Sequence, residues 1–496
     1  MATSGIKEMS EDDKSTPDVI QEKLLPEQLV IPILPQDQRA LDRKILRKID
    51  LLILPICALN HFFSAMDRSD IGNAKLAGFS KDNHLSPIQF SVVVSMFQFG
   101  AILCQPVGGL LILRYIEAYL LLGFGNIFWG ICTVMLTFST SMILPSILRI
   151  LIGIAEGLTQ VNTIFLTMWY TKEEMATRTG FWMSFSALAG AINGLMAWGI
   201  QHNIHSTTLK SWQVLFLMEG AFPILFGPLI LYFYPSSPSK VKKYFSEAEK
   251  EICIARTQRA GNTVDRASSI REAVPVFRCP ETYGMFIAHF CVIWAAAGYG
   301  NFLPIIIDGL GFSAVESQLL TVPVCVVSFL SVNFFCWFSD RLQLRGPLIM
   351  GLALVSVIGF TMLAALSSAK GPRTFALYLI SLSVYPLIPL TLTFLCVNTV
   401  GLSRRALVIP IQNAFGLLGG LVVNYTYIHK PRYLEGTLGT IGCLCILIVT
   451  IAALDLSFIA RNRAKASDVG SEQWEKNRTK SFDELGTDHP DFKFTV

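Results

Sequence analysis

The chain alternates between long apolar segments and shorter polar ones. Each apolar segment has about the 20 residues that a helix needs to cross the hydrocarbon core of a bilayer. Two sets of six such segments flank a polar stretch in the middle of the chain. The pattern predicts an all-α polytopic membrane protein with twelve transmembrane helices, at 49–66, 88–112, 118–138, 142–169, 179–201, 213–234, 282–307, 318–338, 346–367, 373–398, 404–428 and 437–460.

The polar stretches divide the chain into parts. Residues 1–40 are rich in Glu, Asp, Pro and Gln, a composition that favours disorder. We therefore expect five parts, which are a disordered cytosolic tail at 1–48, a first six-helix half at 49–234, a cytosolic central loop at 235–281, a second six-helix half at 282–460 and a cytosolic tail at 461–496.

Composition supports a membrane protein. The chain is 52% hydrophobic and only 15% charged, with a mean hydropathy of +0.50, whereas soluble chains carry about 25% charged residues. The net charge of +4 gives no indication of nucleic-acid binding. The eleven cysteines show neither a CxxC pair nor a Cys/His metal spacing, so we interpret them as packing residues and expect no metal or cofactor.

Loop charges predict the orientation. The loops on the side of the N-terminus carry three times as many Lys and Arg residues as those on the other side. Because positive loop residues are retained in the cytosol, we expect both termini and the central loop to be cytosolic. No sorting signal is apparent, so we expect the plasma membrane, with the endoplasmic reticulum or another internal membrane as the alternative.

The fourth segment carries two charges, Arg149 and Glu156. Each costs about 2.5–3.5 kcal/mol at the bilayer centre. Seven residues place both side chains on one helix face, about 10.5 Å apart along the axis and too far for a direct ion pair. The functional interpretation is that Arg149 binds an anion and Glu156 takes up and releases a proton. The alternative is that each charge pairs with a neighbouring helix and only stabilises the bundle.

Other polar residues in the apolar segments extend this candidate site. Glu219 is a second candidate for proton coupling, with a structural role as the alternative. Helix–helix hydrogen bonds are the alternative for the uncharged groups. With Arg149, we expect the substrate to be bound by Asn60, His61, Gln160, Asn301 and Asn413.

Two charged pairs lie near segment ends. Asp67 and Arg68 follow the first segment on the outer side, and Asp340 and Arg341 lie between the eighth and ninth segments. We predict that these pairs form gating salt bridges, with solvated loop charges as the alternative.

Several catalytic motifs are missing from the sequence. It has no GxxxxGK[ST] phosphate loop, which argues against an ATP-driven pump. It also has no HExxH and no GxSxG. We therefore expect a protein that is not an enzyme.

Motifs spread over residues 41–460 resemble those of a known family. They include Asp67-Arg-Ser-Asp-Ile-Gly-Asn-Ala-Lys75, the set Arg149, Gly153, Glu156 and Gly157, Phe216-Leu-Met-Glu-Gly220, Pro235-Ser-Ser-Pro238, Asn413-Ala-Phe-Gly416 and Pro431-Arg-Tyr433. With them, the chain resembles the fungal anion:cation symporters of the major facilitator superfamily, which include the allantoate permease and carriers for nicotinic acid, pantothenate and biotin.

The resemblance implies the major facilitator fold and a proton-coupled importer of a small organic anion, first of all a monocarboxylate vitamin such as nicotinate or pantothenate. A co-transported proton offsets the cost of moving an anion into a negative interior, about 2.3 kcal/mol per 100 mV. The alternatives are an allantoate, ureido-acid or small-peptide permease and a non-transporting nutrient sensor. The expected partners are the anion, the proton and the bilayer, and we expect a monomer.

Overall fold

Twelve long helices make up most of the described part of this computed structural model, which covers residues 36–160, 162–203, 209–241, 243–259, 273–308, 314–366, 370–423, 425–426, 434–480 and 485–496. These residues include no β-strand. The helices are α1 (Gln36–Leu76), α2 (Pro87–Arg114), α3 (Ala118–Met135), α4 (Ile143–Thr159, continued by Asn162–Trp169), α5 (Met175–Asn203), α6 (Ser211–Phe233), α7 (Pro280–Asp308), α8 (Ala314–Leu342), α9 (Arg345–Ala365), α10 (Lys370–Asn398), α11 (Leu402–Val423) and α12 (Leu434–Ser467).

Eleven of these helices are long and apolar enough to cross a membrane. The remaining one, α5, has 29 residues but includes polar Thr, Ser, Asn, Gln and His residues. Each predicted apolar segment overlaps one helix, so the helix pattern followed correctly from hydropathy. Shorter helices occupy Phe79–Asp82, Glu247–Arg259 and Glu472–Arg478.

The first helix differs from the prediction at both ends. A disordered tail was predicted at 1–48, but α1 begins at Gln36; residues 1–35 lie outside the described part. Leu41, Ile45 and Ile49 recur every four residues, which is the spacing of one helix face. Residues up to Lys48 form one compact unit and Ile49–Val496 another.

At its other end α1 continues well past the predicted boundary at residue 66. No proline lies between residue 66 and the end of the helix at Leu76, and the turn after it contains Gly78, whose φ of 101° is in the left-handed region that glycine favours. Asp67 and Arg68 are therefore helical residues inside the bundle, and not the loop charges that the sequence analysis expected.

Small residues set the packing of the first half. α2 packs against α4, and a Cβ atom at Gly153 would lie 2.1 Å from the Phe97 carbonyl oxygen. α3 packs against α6, where a Cβ at Gly220 would lie 2.7 Å from the Gly130 carbonyl oxygen. Only glycine permits these backbone approaches, as is common between membrane helices. The position of α4 against α2 is therefore fixed closely.

The two halves meet mainly along two helix pairs, α2 with α11 and α5 with α8, with smaller contacts of α5 with α10 and of α4 with α11. We call the end of the bundle at which α8, α10 and α12 end the tail side, because residues 485–496 lie there. The second half carries its own contacts of α9 with α10 and α12, and of α7 with α11 and α12. The halves thus form two helix groups that face each other.

Candidate functional site

A cavity of about 370 Å³ lies between the two halves. This volume is in the range of small-molecule sites, about 300–1,000 Å³. The wall has both polar and apolar parts. Its lining includes His61, Arg68, Ser69, Gln105, Gln160 and Ser184 from the first half, and His289, Ile293, Tyr385, Ile388, Pro389, Asn413 and Leu417 from the second.

Arg68 supplies the one guanidinium among the described residues that line this cavity. Its side chain is 34% exposed, and its Nε lies 3.7 Å from Oε2 of Glu156. Its Nε also donates to the Ser64 carbonyl oxygen, and its Nη2 donates to Ser64 Oγ at 2.9 Å. A positive charge is therefore held at the cavity wall with part of its surface open.

Glu156 lies behind Arg68 and is 2% exposed. Ser64 Oγ donates to its Oε2 at 2.7 Å, while its Oε1 has no hydrogen-bond partner among the described residues. Ser64 and Arg68 are one helical turn apart on α1, so both side chains reach the same point of α4. The three residues form a connected group, which we call the coupling triad: Ser64, Arg68 and Glu156.

Arg149 has a different environment. It is 1% exposed and is absent from the cavity lining. Its Nη1 lies 3.4 Å from Oδ2 of Asp67, and Oδ1 of Asp67 accepts a hydrogen bond from Thr133 at 3.0 Å. Neighbouring residues on a helix point about 100° apart, so Asp67 and Arg68 face different ways. The geometry of Arg149 matches the packing alternative of the sequence analysis.

Replacing Arg149 by alanine is expected to destabilise the fold strongly, by about 3–5 kcal/mol, because the Asp67 carboxylate stays buried without its cation. Thermal unfolding of the purified protein in detergent measures this effect as a lower Tm. The double variant Arg149→Ala/Asp67→Ala should lose less stability than the sum of the two single variants. Strictly additive losses of stability would contradict a stabilising ion pair between Arg149 and Asp67.

The remaining predicted first-half residues divide between cavity and packing. His61 lines the cavity and contacts Trp182 edge to face, with the ring centroids 4.7 Å apart. Gln160 also lines the cavity. Asn60 is buried and accepts a hydrogen bond from Asn126 at 2.7 Å. Glu219 is buried on α6, away from the lining residues, and neither of its carboxylate oxygens has a hydrogen-bond partner within the described part of the chain.

The second half contributes neutral hydrogen-bonding groups. Asn413 lines the cavity beside His289, whereas the side chain of Asn301 lies outside the described residues. Nδ1 of His289 lies 2.9 Å from Thr391 Oγ1, and that hydroxyl donates to the Leu387 carbonyl oxygen. His289 is thus hydrogen-bonded through Nδ1 to Thr391 and lies at the cavity wall together with Asn413.

Near the end of α8, Asp340 contacts the first half of the bundle. Its carboxylate accepts hydrogen bonds from the backbone N–H groups of Ala176 and Thr177, at 3.2 and 2.7 Å. The cation that pairs with it is Arg345 at 3.0 Å, which also donates to the Lys172 carbonyl oxygen. Arg341, the predicted partner, is exposed and lies over the Trp337 ring. The halves are thus tied together on the tail side.

Several residues of this arrangement were not singled out from the sequence. Gln105 and Tyr385 line the cavity, and Ser64 connects the coupling triad. The four-residue spacing of Ser64 and Arg68, which places both on one face of a helix, was the available signal. Nothing in the sequence marks Gln105 or Tyr385 as facing the cavity.

Comparison with known proteins identifies relatives among fungal transporters. The chain is 29% identical to an uncharacterised transporter of Schizosaccharomyces pombe, over 85% of each chain. It is also 29% identical to the high-affinity nicotinic acid transporter of Saccharomyces cerevisiae, over 81% of this chain and 75% of that protein. The major facilitator-type transporter hxnP of Emericella nidulans is 28% identical, over 87% of this chain and 88% of that one.

Solved structures show the same fold. The proton:xylose symporter XylE, bound to 6-bromo-6-deoxy-D-glucose, matches 82% of this chain and 95% of its own with a TM-score of 0.66 at 15% identity. The Escherichia coli fucose:proton symporter FucP matches 81% of this chain and 99% of its own with a TM-score of 0.61 at 14% identity. The predicted fold class, a twelve-helix bundle in two halves, is confirmed. A family model described as Major Facilitator Superfamily matches residues 57–424, so the chain belongs to this superfamily and is a secondary transporter of that type.

Proposed function

We propose that this protein imports a small organic anion together with a proton, with monocarboxylates such as nicotinate and pantothenate as the first candidates. The observation that carries the proposal is the contact between Arg68 and Glu156 at the wall of the central cavity. Arg68 takes the anion-binding role that the sequence analysis gave to Arg149. Glu156 keeps the proton-coupling role.

Anion and proton binding are linked through Arg68. In the structure the guanidinium faces the Glu156 carboxylate. An incoming carboxylate competes with Glu156 for the same cation. A proton on Glu156 removes this competitor, so that each of the two ligands strengthens the binding of the other, as linkage requires.

Charge balance then selects which states can change conformation. The empty pair of Arg68 and Glu156 is neutral, and so is the loaded state, in which Arg68 holds the anion and Glu156 holds a proton. Binding of only one ligand leaves an uncompensated charge in the cavity, which is costly at membrane depth. Closure around the site is therefore favoured for the empty and the fully loaded transporter, which is the condition for coupled transport.

The opposite wall suits the rest of a small carboxylate. Ile293, Ile388, Pro389 and Leu417 offer apolar surface. His289 and Asn413 offer neutral hydrogen-bonding groups on the same side. A compact molecule with an anionic end and an apolar or weakly polar body fits a cavity that has a cation on one wall and apolar and neutral polar groups on the other. The relation to the yeast nicotinic acid transporter supports a monocarboxylate, and the similarity to the two proton symporters supports proton coupling.

Uptake into proteoliposomes tests the proposal. We expect radiolabelled nicotinate or pantothenate to accumulate when the outside is more acidic than the inside, and a protonophore to abolish accumulation. Nicotinamide, which lacks the carboxylate, is the matched control and should not accumulate. Accumulation of the anion that is indifferent to the pH gradient would contradict proton coupling.

The same assay separates the alternatives. Binding of the anions without any accumulation would indicate a nutrient sensor. Uptake of allantoate or of small peptides in place of vitamins would change the substrate class and leave the coupling mechanism intact. Because no sorting signal is apparent in the sequence, we propose the plasma membrane as the location, with an internal membrane as the alternative, and immunofluorescence of a tagged chain tests that.

A further inference from the structure

The last residues of the chain pack against the helix ends on the tail side. Phe492 and Phe494 are each only 4% exposed. The Phe494 ring stacks on Phe458 of α12, with the centroids 4.7 Å apart and the planes 9° apart. Such burial is unusual for a polar terminal segment, where side chains normally remain in solvent. The segment is therefore held by specific contacts.

Two asparagines hold the backbone of this segment. Asn398, the last residue of α10, donates to the Thr495 carbonyl oxygen and accepts from the Thr495 N–H, at 3.0 and 2.9 Å. Asn462 of α12 makes the same pair of bonds with Phe494, both at 2.9 Å. Each amide thus imitates the pairing of a neighbouring strand, so the segment lies in one register.

Charged groups add further bonds. Lys465 of α12 donates to the carbonyl oxygens of Thr487, His489 and Phe492, at 2.6, 3.0 and 3.0 Å. Arg461 pairs with Asp488 at 2.6 Å. A cation that satisfies three carbonyl groups of one segment fixes the fold of that segment.

The segment also contacts Arg345 and Lys172, the residues that join the two halves on the tail side. The backbone N–H of Arg345, the first residue of α9, donates to the Val496 oxygen at 2.8 Å. The Arg345 side chain binds Asp340 and the Lys172 carbonyl oxygen. Nζ of Lys172, in the connection between α4 and α5, lies 3.9 Å from the centre of the Phe492 ring. The segment thus touches both halves where they meet.

We propose that residues 485–496 form a latch that stabilises the conformation closed on the tail side and that must loosen when the halves separate there. Separation moves Lys172 of the first half away from Phe492 of the second. It also pulls on Arg345, which the segment holds through Val496. The latch adds a control of the conformational equilibrium to the proposed transport function, and it does not depend on the substrate.

The apolar and backbone contacts carry the latch. Burial, together with the charges of Arg405 and Arg345, lowers the pKa of Lys172 to about 7. Lys172 is therefore partly neutral near neutral pH, and its attraction to the Phe492 ring is only one of several contacts. The two phenylalanines are the side chains whose removal should weaken the latch most.

Distances between spin labels test the latch in the full-length protein. Tyr115 and Leu342, at the tail-side ends of α2 and α8, have 71% and 47% of their surface exposed. In the experiment these two positions are replaced by residues that carry bioorthogonal spin labels. We expect the variant Phe492→Ala/Phe494→Ala to raise the ratio of long to short distances at least tenfold. Trp474→Ala is the matched control, because this tail aromatic contacts Arg478 on its own short helix, and it should leave the ratio unchanged.

A peptide added in trans provides the second arm. A chain ending at residue 480 should show the same long distances, and a synthetic peptide of residues 485–496 should restore the short ones, whereas a scrambled peptide should not. The latch is overturned if the double phenylalanine variant keeps the distance distribution of the unaltered protein. It is equally overturned if Trp474→Ala shifts the distribution as much as the double variant does. None of these readouts needs a substrate, so their failure is separate from a failure of the transport proposal.

Discussion

Replacing Arg68 by alanine is expected to lower kcat/KM for anion uptake by about 10- to 100-fold, the largest effect of a single residue in the cavity. A hydrogen bond to a charged group contributes about 1.5–3 kcal/mol, and about 1.4 kcal/mol corresponds to a factor of ten. Initial rates of radiolabelled uptake over a range of anion concentrations measure the loss. Arg68→Lys keeps the charge but not the planar fork of donors, so an intermediate rate is expected.

The matched control for this change is Arg341→Ala. Arg341 is an arginine of the same chain that lies exposed over Trp337, away from the cavity lining. Its removal should leave uptake within about twofold, since exposed charged side chains contribute little. Normal uptake by Arg68→Ala, at equal protein abundance in the membrane, would remove Arg68 from the anion site and would require another cation.

The variant Glu156→Gln is expected to abolish accumulation driven by a pH gradient while permitting exchange of labelled for unlabelled anion. Glutamine keeps the shape and can accept the hydrogen bond from Ser64, but it cannot change its charge. Arg68 then has no carboxylate competitor, so the variant resembles a permanently protonated transporter. Counterflow in proteoliposomes measures exchange, and the same vesicles under an acid-outside gradient measure accumulation.

Glu219→Gln is the matched control for the coupling test. Glu219 is also a buried glutamate of the first half, but it lies outside the cavity lining. It should retain gradient-driven accumulation if the protein folds. If Glu156→Gln accumulates anion normally and Glu219→Gln does not, the proton role belongs to Glu219; if neither variant loses accumulation, His61 becomes the candidate.

The helices were predictable from the sequence because membrane depth depends on hydropathy, which is a local property. Which face of each helix points to the cavity could not be predicted in this way. From the sequence, the anion was assigned to Arg149 because it lies within an apolar segment, whereas Arg68 follows the end of one. Which one faces the cavity depends on how α1 and α4 are rotated against their neighbours, and that depends on contacts such as Asp67 with Thr133.

The salt bridge of Asp340 illustrates the same limit. The sequence suggested that Asp340 pairs with Arg341, its immediate neighbour. In the structure the chain turns after α8, and Arg345 at the start of α9 returns to Asp340. Adjacent helical residues diverge by about 100°, so Arg341 points outward. A pair across a turn was harder to predict than one within a helix.

The position of Asp67 next to Arg68 on α1 affects the speed of the transport cycle. Asp67 anchors the helix through Arg149, so a rotation of α1 that freed Arg68 would break this buried pair. Exchange of partners at Arg68 is therefore a rotamer change of one side chain, on the picosecond-to-nanosecond scale for an accessible group. Domain rearrangements take microseconds to milliseconds. If Arg68 binds the anion as proposed, we expect ligand capture to equilibrate long before the halves reorient, so that the turnover number reports the reorientation.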